Sequence, residues 1–269
     1  RPIRSISCVY NAEPVVFKVS GLDLTTGNKT FGHRFLAPQS ITFKTFDDYH
    51  ANLKNAFVIL DHQERQNMIK KGLEEKAASL GMGLQLQENQ TLLEEVAGLV
   101  DYPFVHLGKI DPQFMNLPDQ VLSTSMRVHQ KYFSFLKGDR LAPYFGVVTN
   151  VNPSDNKEML DGYERVLKAR LSDAAFFYET DCRVPLVKLV PKLDSIIFHA
   201  KLGTLGQKVH RLQDLMTTEH GKRAAYLCRA DLVTHMVGEF PELQGIMGQI
   251  YALQNGESPA VALALKEYY

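Results

Sequence analysis

The residue types best suited to chemistry cluster in "VHQKYF", inside the longer stretch "STSMRVHQKYFSFLKGDRLAPYFGVVTNV". Strand side chains alternate between two faces, so as a strand "MRVHQKYFSF" puts His129, Lys131, Phe133 and Phe135 together, with Gln130, Tyr132, Ser134 and Leu136 opposite. Cations set among aromatic rings neutralise phosphates and stack bases. The competing reading puts Phe133 and Phe135 in a core and leaves His129 and Lys131 near an exposed strand end. A second cationic stretch is "GHRF", Gly32–Phe35. Arg34 offers a rigid fork of donors and a glycine turn exposes backbone N–H groups, a combination that suits a phosphate. An ordinary loop with a structural arginine has the same residues. The third is "YERVLKARLSDAAFFYETD", where Arg165, Lys168 and Arg170 are balanced by Glu164, Asp173 and Glu179. Glu164 with Lys168 and Arg170 with Asp173 have helical i,i+4 and i,i+3 spacing, which predicts a solvated, salt-bridged face.

His199, His210, His220, Asp231 and His235 raise a metal hypothesis, the ligand set of an HD-type phosphohydrolase. That chemistry needs several ligands converging on one point with a water position left open. Ala230 precedes Asp231 in "RADL", so the His-Asp doublet is missing, and Asp231 reads instead as a buried, hydrogen-bonded helix residue. There is no GxxxxGK[ST], no GxGxxG after a strand and no GxSxG. No catalytic and no metal residue is assigned.

Lys+Arg is 30 and Asp+Glu is 30, so RNA binding would have to come from a local patch or be shared with other parts. Hydrophobic residues make up 45% and charged ones 22%, enough for a sizeable core, and 269 residues suggest roughly two domains. Cys8, Cys182 and Cys228 form no CxxC pair, which argues against a disulfide framework and fits a reducing compartment. No apolar run is long enough to span a membrane. The chain opens on "RPIRSISCVY" without an initiator Met and reads as a piece of something longer.

The elements that would position these groups alternate in the first part. "RSISCVY" and "PVVFKVSGL" suggest a hairpin around "NAE", Asp61–Leu80 a capped helix, and "TLLEEVAGLV" a second helix capped by Thr91. "YPFVHLG", "QKYFSFL" and "PYFGVVTNV" read as strands and "DPQFMNLPDQVLSTSMRV" as a helical turn and helix. From "NPSDNKEM" onward every segment reads as helix, including "VPLVKLVPKLDSIIF" and "KRAAYLCRADLVTHMVGEF". The expected class is α+β, with a mixed module over 1–152 and an all-helical domain over 153–269.

In order along the chain, "GHRF", "LLEEVAGLVDYP", "VHQKYF", "ERVLKARLSDAAFF" and "CRADLVTHMVGEFPELQGIMGQIYA" closely resemble the β subunit of the bacterial heterotetrameric glycyl-tRNA synthetases, from "RPIRS" to "ALKEYY". The resemblance implies a B3/B4-like module over 1–152, then an HD-like helical domain over 153–269 with an incomplete metal doublet. It implies a middle piece of that subunit, without the anticodon-binding region and located in the cytoplasm. Its partners would be glycine tRNA and the α subunit, with neither a membrane nor DNA involved. The α subunit would hold the aminoacylation site and use ATP and Mg, while this chain binds no cofactor. The tRNA-facing or interface residues so implied are Arg34, Lys131, Arg165, Arg170 and His129. Tyr163 in "DGYER" stands where the family usually has Asn, so an RNA contact made by that Asn would be changed here. The alternatives are a hydrolytic module, of editing or HD type, and a pure scaffold.

Overall fold

Asp61 is followed by an acidic–polar turn and an apolar stripe, and in the computed structural model it caps a helix over His62–Ser79. The structure describes Ile3 and residues 5–269; the first expected strand begins on Arg4, outside the described residues. Contacts group the chain differently from the single boundary expected at 152/153. One unit runs to Gly108 and resumes over Lys131–Asp161, and the other comprises Lys109–Gln130 and Gly162–Tyr269. The composition change near Asn152–Ser154 marks the start of a long helix, Lys157–Cys182, that continues through 161/162 without a break.

In the first unit the expected hairpin forms, but it is short. Strands β1 (Val9–Tyr10) and β2 (Glu13–Pro14) pair antiparallel around Asn11 and Ala12, whose φ values of 48° and 64° are those of a primed hairpin turn. Val15, Val16 and Phe17 lie exposed beyond it. Strands β3 (Lys29–Phe31) and β4 (Ser40–Thr42) form a second antiparallel pair, followed by helix α1 (Phe46–Asn55). Helix α2 (His62–Ser79) starts where Asp61 Oδ1 accepts from the N–H groups of Gln63 and Glu64 at 2.6 and 3.0 Å. The Glu64 carboxylate pairs with Lys54 at 2.7 Å. Strand β5 (Gln85–Leu86) leads to α3 (Gln90–Ala97), and its cap is Asn89 rather than Thr91, with Oδ1 accepting from Leu92 N–H at 2.9 Å. Strands β6 (Phe104–Lys109), β7 (Phe133–Lys137) and β8 (Arg140–Thr149) complete a four-stranded sheet of order β5-β7-β8-β6. Ile69 and Leu73 of α2 and Val96 of α3 pack on Phe133 and Phe135 of β7, burying one helix stripe and one sheet face together.

His106 on β6 is buried, with Nε2 3.1 Å from Thr149 Oγ1. That hydroxyl spends its proton on Val151 O at 2.6 Å, so it accepts, and the neutral imidazole donates from Nε2. Burial, with Lys76 adding a smaller push, holds the His106 pKa below its ordinary value of 6.5. Folding thus favours the neutral ring, and its contribution is complete above 6.5 and lost as pH falls through the lowered value. Thermal melts from pH 8 to pH 5 are expected to show a steeper acid-side loss for the wild type than for His106→Gln. Parallel slopes would remove His106 as the cause.

In the second unit a 3₁₀ turn (Pro112–Phe114) precedes α4 (Asp119–Thr124), which continues as a π-helical turn over Ser125–Gln130. Helix α5 (Lys157–Cys182) is the longest element. The segment expected as one helix, "VPLVKLVPKLDSIIF", is α6 (Leu186–Leu189), a 3₁₀ turn (Val190–Ser195) and strand β9 (Ile197–His199), which pairs antiparallel with β10 (Gly203–Thr204). The 153–269 segment is therefore not all-helical. Its β-branched and aromatic "IIF" run and a Gly203 at φ 83° support a hairpin at that point. Thr204 and Gln207 form a capping box at the start of α7 (Leu205–Leu215). Helix α8 (Glu219–Leu227), a 3₁₀ turn (Ala230–Val233) and α9 (His235–Glu239) replace the single helix expected over "KRAAYLCRADLVTHMVGEF". Helices α10 (Ile246–Gln254) and α11 (Pro259–Glu267) follow, and Ser258 caps the latter ahead of Pro259, a helix start that the Ser-Pro pair signals in the sequence. Leu193, Leu227, Phe240, Leu243 and Met247 centre this unit's core. The chain is thus mixed α/β, and among the described residues no helix is long and apolar enough to cross a membrane.

Candidate functional site

Arg34 sits on a loop that is built from below. His33 is fully buried, its N–H donates to Ala56 O at 2.8 Å, and its C=O accepts from Ala37 N–H at 2.9 Å. His33 Nδ1 accepts from the N–H groups of Phe35 and Leu36 at 3.2 and 3.1 Å, as an Asx side chain does in a turn. A Cβ at Gly32 would lie 2.6 Å from both Ala37 O and Ala56 Cβ, so only glycine lets the chain enter this close. The loop's frame uses His33 and backbone, leaving Arg34 and Phe35 outside; the guanidinium lies 5.7 Å from the Phe35 ring centre.

"VHQKYF" is not the strand the alternation suggested. Val128, His129 and Gln130 belong to the π-helical turn, Lys131 has φ 58°, and β7 starts only at Phe133. Tyr132, Phe133, Ser134 and Phe135 are all buried, with Tyr132 stacked on Phe145 at 4.6 Å. Apolar demand from both faces of the strand took these rings into the core. Lys131 pairs with Glu95 of α3 at 2.8 Å. His129 lies in the second unit, edge-on to Phe240 with ring centres 5.2 Å apart. His129 and Lys131 therefore do not share the strand face that the alternation gave them.

On α5, Arg165 is exposed and no described residue partners its side chain. The expected pairings along the helix give way to tertiary ones. Lys168 reaches Asp111 at 2.8 Å, Glu164 accepts from the Lys109 N–H at 2.8 Å, and Arg170 meets Glu239 at 3.5 Å. Arg170 and His129 thus touch successive residues, Glu239 and Phe240, at the end of α9, whereas Arg34 and Lys131 belong to the other unit.

The constellations with most chemical character are two buried carboxylates: Asp181, which sequence spacing does not reveal, and Asp231, buried and hydrogen-bonded as the sequence suggests. Asp181 Oδ1 accepts from the His235 N–H at 3.0 Å and from its ring Nδ1 at 2.8 Å. Oδ2 accepts from the Met236 N–H at 2.9 Å and the Tyr251 hydroxyl at 3.2 Å. Because a carboxylate only accepts, His235 Nδ1 carries the proton and Nε2 is left toward solvent, on a side chain 62% exposed. Burial, and then Asp181, push the Tyr251 phenol above its ordinary range. Asp231 accepts from the Gly245 N–H at 2.6 Å and the Tyr269 hydroxyl at 2.8 Å, and burial raises its carboxyl above 3.8. Burial pushes the Cys228 thiol up to about 11, far from the thiolate a nucleophile needs. Among the described residues no three His, Cys, Asp or Glu side chains converge as a metal set. His235 and Asp231, both weighed as ligands, are tied to different hydrogen-bond partners. Asp181 and Tyr251 lie 54 and 70 positions from their partners in the chain, so no local motif signals them.

What these side chains define is a set of carboxylates, Asp181 and Asp231, turned inward to hold helix starts, with Arg34 and Arg165 left exposed, each in its own unit. A family model described as the glycyl-tRNA synthetase beta subunit matches residues 1–269. The "Glycine--tRNA ligase beta subunit" of Rickettsia akari (strain Hartford) is 42% identical over 275 residues, covering 100% of this chain and 41% of that protein. Proteins of the same description from Listeria welshimeri and Phenylobacterium zucineum are 40% and 42% identical, again over 100% of this chain and over 40% and 42% of theirs. The chain belongs to the glycyl-tRNA synthetase beta subunit family, and it spans about two fifths of the length of these curated relatives.

Proposed function

We propose that this chain is a tRNA-contacting and assembly region of a glycine–tRNA ligase beta subunit, working in the cytoplasm. In this reading it supports ATP-dependent attachment of glycine to its tRNA, while the α subunit of a heterotetramer carries the active site and uses ATP and Mg. The observation that carries the reading is the family match over residues 1–269. Of the candidate Arg and Lys residues, Arg34 and Arg165 are exposed without a carboxylate partner among the described residues and so are free to meet phosphates. Lys131 and Arg170 would have to leave Glu95 and Glu239 first.

The test is an anisotropy titration of the chain against glycine tRNA at two salt concentrations. Micromolar or tighter binding that weakens steeply with salt is expected, because each phosphate contact releases counterions. No binding at low salt sinks the reading and turns the assay to the α subunit. Arg165→Glu is expected to weaken binding several-fold and to reduce the salt slope by about 1 or more. Lys131→Glu also sets like charge against Glu95, so its melt must be recorded before any affinity loss is assigned to RNA.

A further inference from the structure

The layout sought in "VHQKYF" exists elsewhere, on the strand and loop Lys29–Phe35. Strand β3 alternates exposed, half-buried, exposed, so Lys29 and Phe31 share its outer face. Phe31 is 53% exposed, and four residues on Phe35 is 70% exposed beside Arg34. β3 is held by its pairing with β4, and the loop by Gly32, His33 and backbone hydrogen bonds, with the Phe35 ring tilted against the His33 ring at 6.2 Å between centres and otherwise open. Among the described residues neither Lys29 nor Arg34 has an ion-pair partner, and both are exposed. Two exposed rings and two cations without carboxylate partners, all within seven residues of chain, match a flexible polyanion with flat, apolar bases.

We propose that Lys29, Phe31, Arg34 and Phe35 form a stacking surface for unpaired nucleotides of RNA, the two rings taking bases and the two cations taking phosphates. The proposal deepens the tRNA reading by naming the surface and by specifying unpaired rather than duplex RNA. A protein occupant would use the rings and have no use for two cations lacking carboxylates, so the charge pattern favours RNA.

The experiment is an anisotropy titration of the full chain against three probes: an eight-nucleotide oligo(A) strand, a blunt RNA duplex of equal charge, and glycine tRNA. Phe31→Ala and Phe35→Ala are each expected to weaken oligo(A) binding about tenfold, since base–ring stacking is worth roughly 1–3 kcal/mol per base. Duplex binding should change by less than about twofold, and Phe35→Tyr, which keeps the ring, should restore the oligo(A) affinity. Both rings are exposed, so melts of the alanine variants should match the wild type. Oligo(A) binding that ignores both phenylalanines overturns the proposal. Salt-dependent tRNA binding in that same case leaves the tRNA reading standing, and phenylalanine-dependent oligo(A) binding without tRNA binding does the reverse. Binding of no RNA at all overturns both, and loss of α-subunit association in the phenylalanine variants with RNA binding intact reassigns the face to a protein.

Discussion

Asp181→Ala is expected to destabilise the second unit by about 3–5 kcal/mol, the cost of breaking a buried ionic hydrogen-bond cluster from one side. The side chain is buried and accepts from two backbone N–H groups at the start of α9, a phenol and an imidazole. Alanine strands the Met236 N–H and the Tyr251 hydroxyl in the core, where neither can reach water. Asp181→Asn keeps the volume but turns two donors toward the existing donors, so it should fall between alanine and wild type. His235→Ala should cost only about 1 kcal/mol or less, because its exposed ring loses one bond while the backbone bonds to Asp181 remain. Urea melts of the three variants give the order. Equal costs for Asp181→Ala and His235→Ala would mean that the carboxylate serves the imidazole rather than the helix end.

Gly108→Ala is expected to destabilise the first unit by about 2–3 kcal/mol through overpacking. A Cβ there would lie 2.2 Å from Phe145 Cζ and 2.6 Å from Cε1. The Phe145 ring is fully buried and stacked on Tyr132, so it has little room to retreat. Phe145→Leu alone should cost about 1–2 kcal/mol by leaving space. In the double variant the new methyl enters that space, so the combined loss should be smaller than the sum by about 1 kcal/mol or more. Additive losses would show that the strand shifts rather than the ring.

Much of the local architecture was legible because its causes are local. Asp61 and Ser258 cap helices with their own side chains, and the Asn11–Ala12 turn reverses the chain by backbone conformation alone. Gly32 and Arg34 could be recognised as a turn bearing a cation. Three features differ from the pattern, one because two local caps compete and two because local pattern competes with packing. Asn89 displaces Thr91 as cap by one turn geometry over another of similar strength. The "SIIF" run leaves the helical pattern to pair with Gly203–Thr204. The His-Lys alternation of "VHQKYF" dissolves because Tyr132 and Phe133 are both drawn inward, which a free strand face forbids.

By itself, then, the sequence determined the family resemblance, the positions of the strong caps and the long helices, and the balance of charge that confines any RNA contact to a patch. Only the tertiary structure decided which cations are free, since Lys131, Lys168 and Arg170 meet carboxylates 36, 57 and 69 positions away. It also decided that Asp181 and Asp231 are spent on helix ends and phenols. The physical reason is that caps and turns are closed by neighbours within a few residues, whereas an ion pair or a buried carboxylate is defined by whatever the fold brings to it from afar.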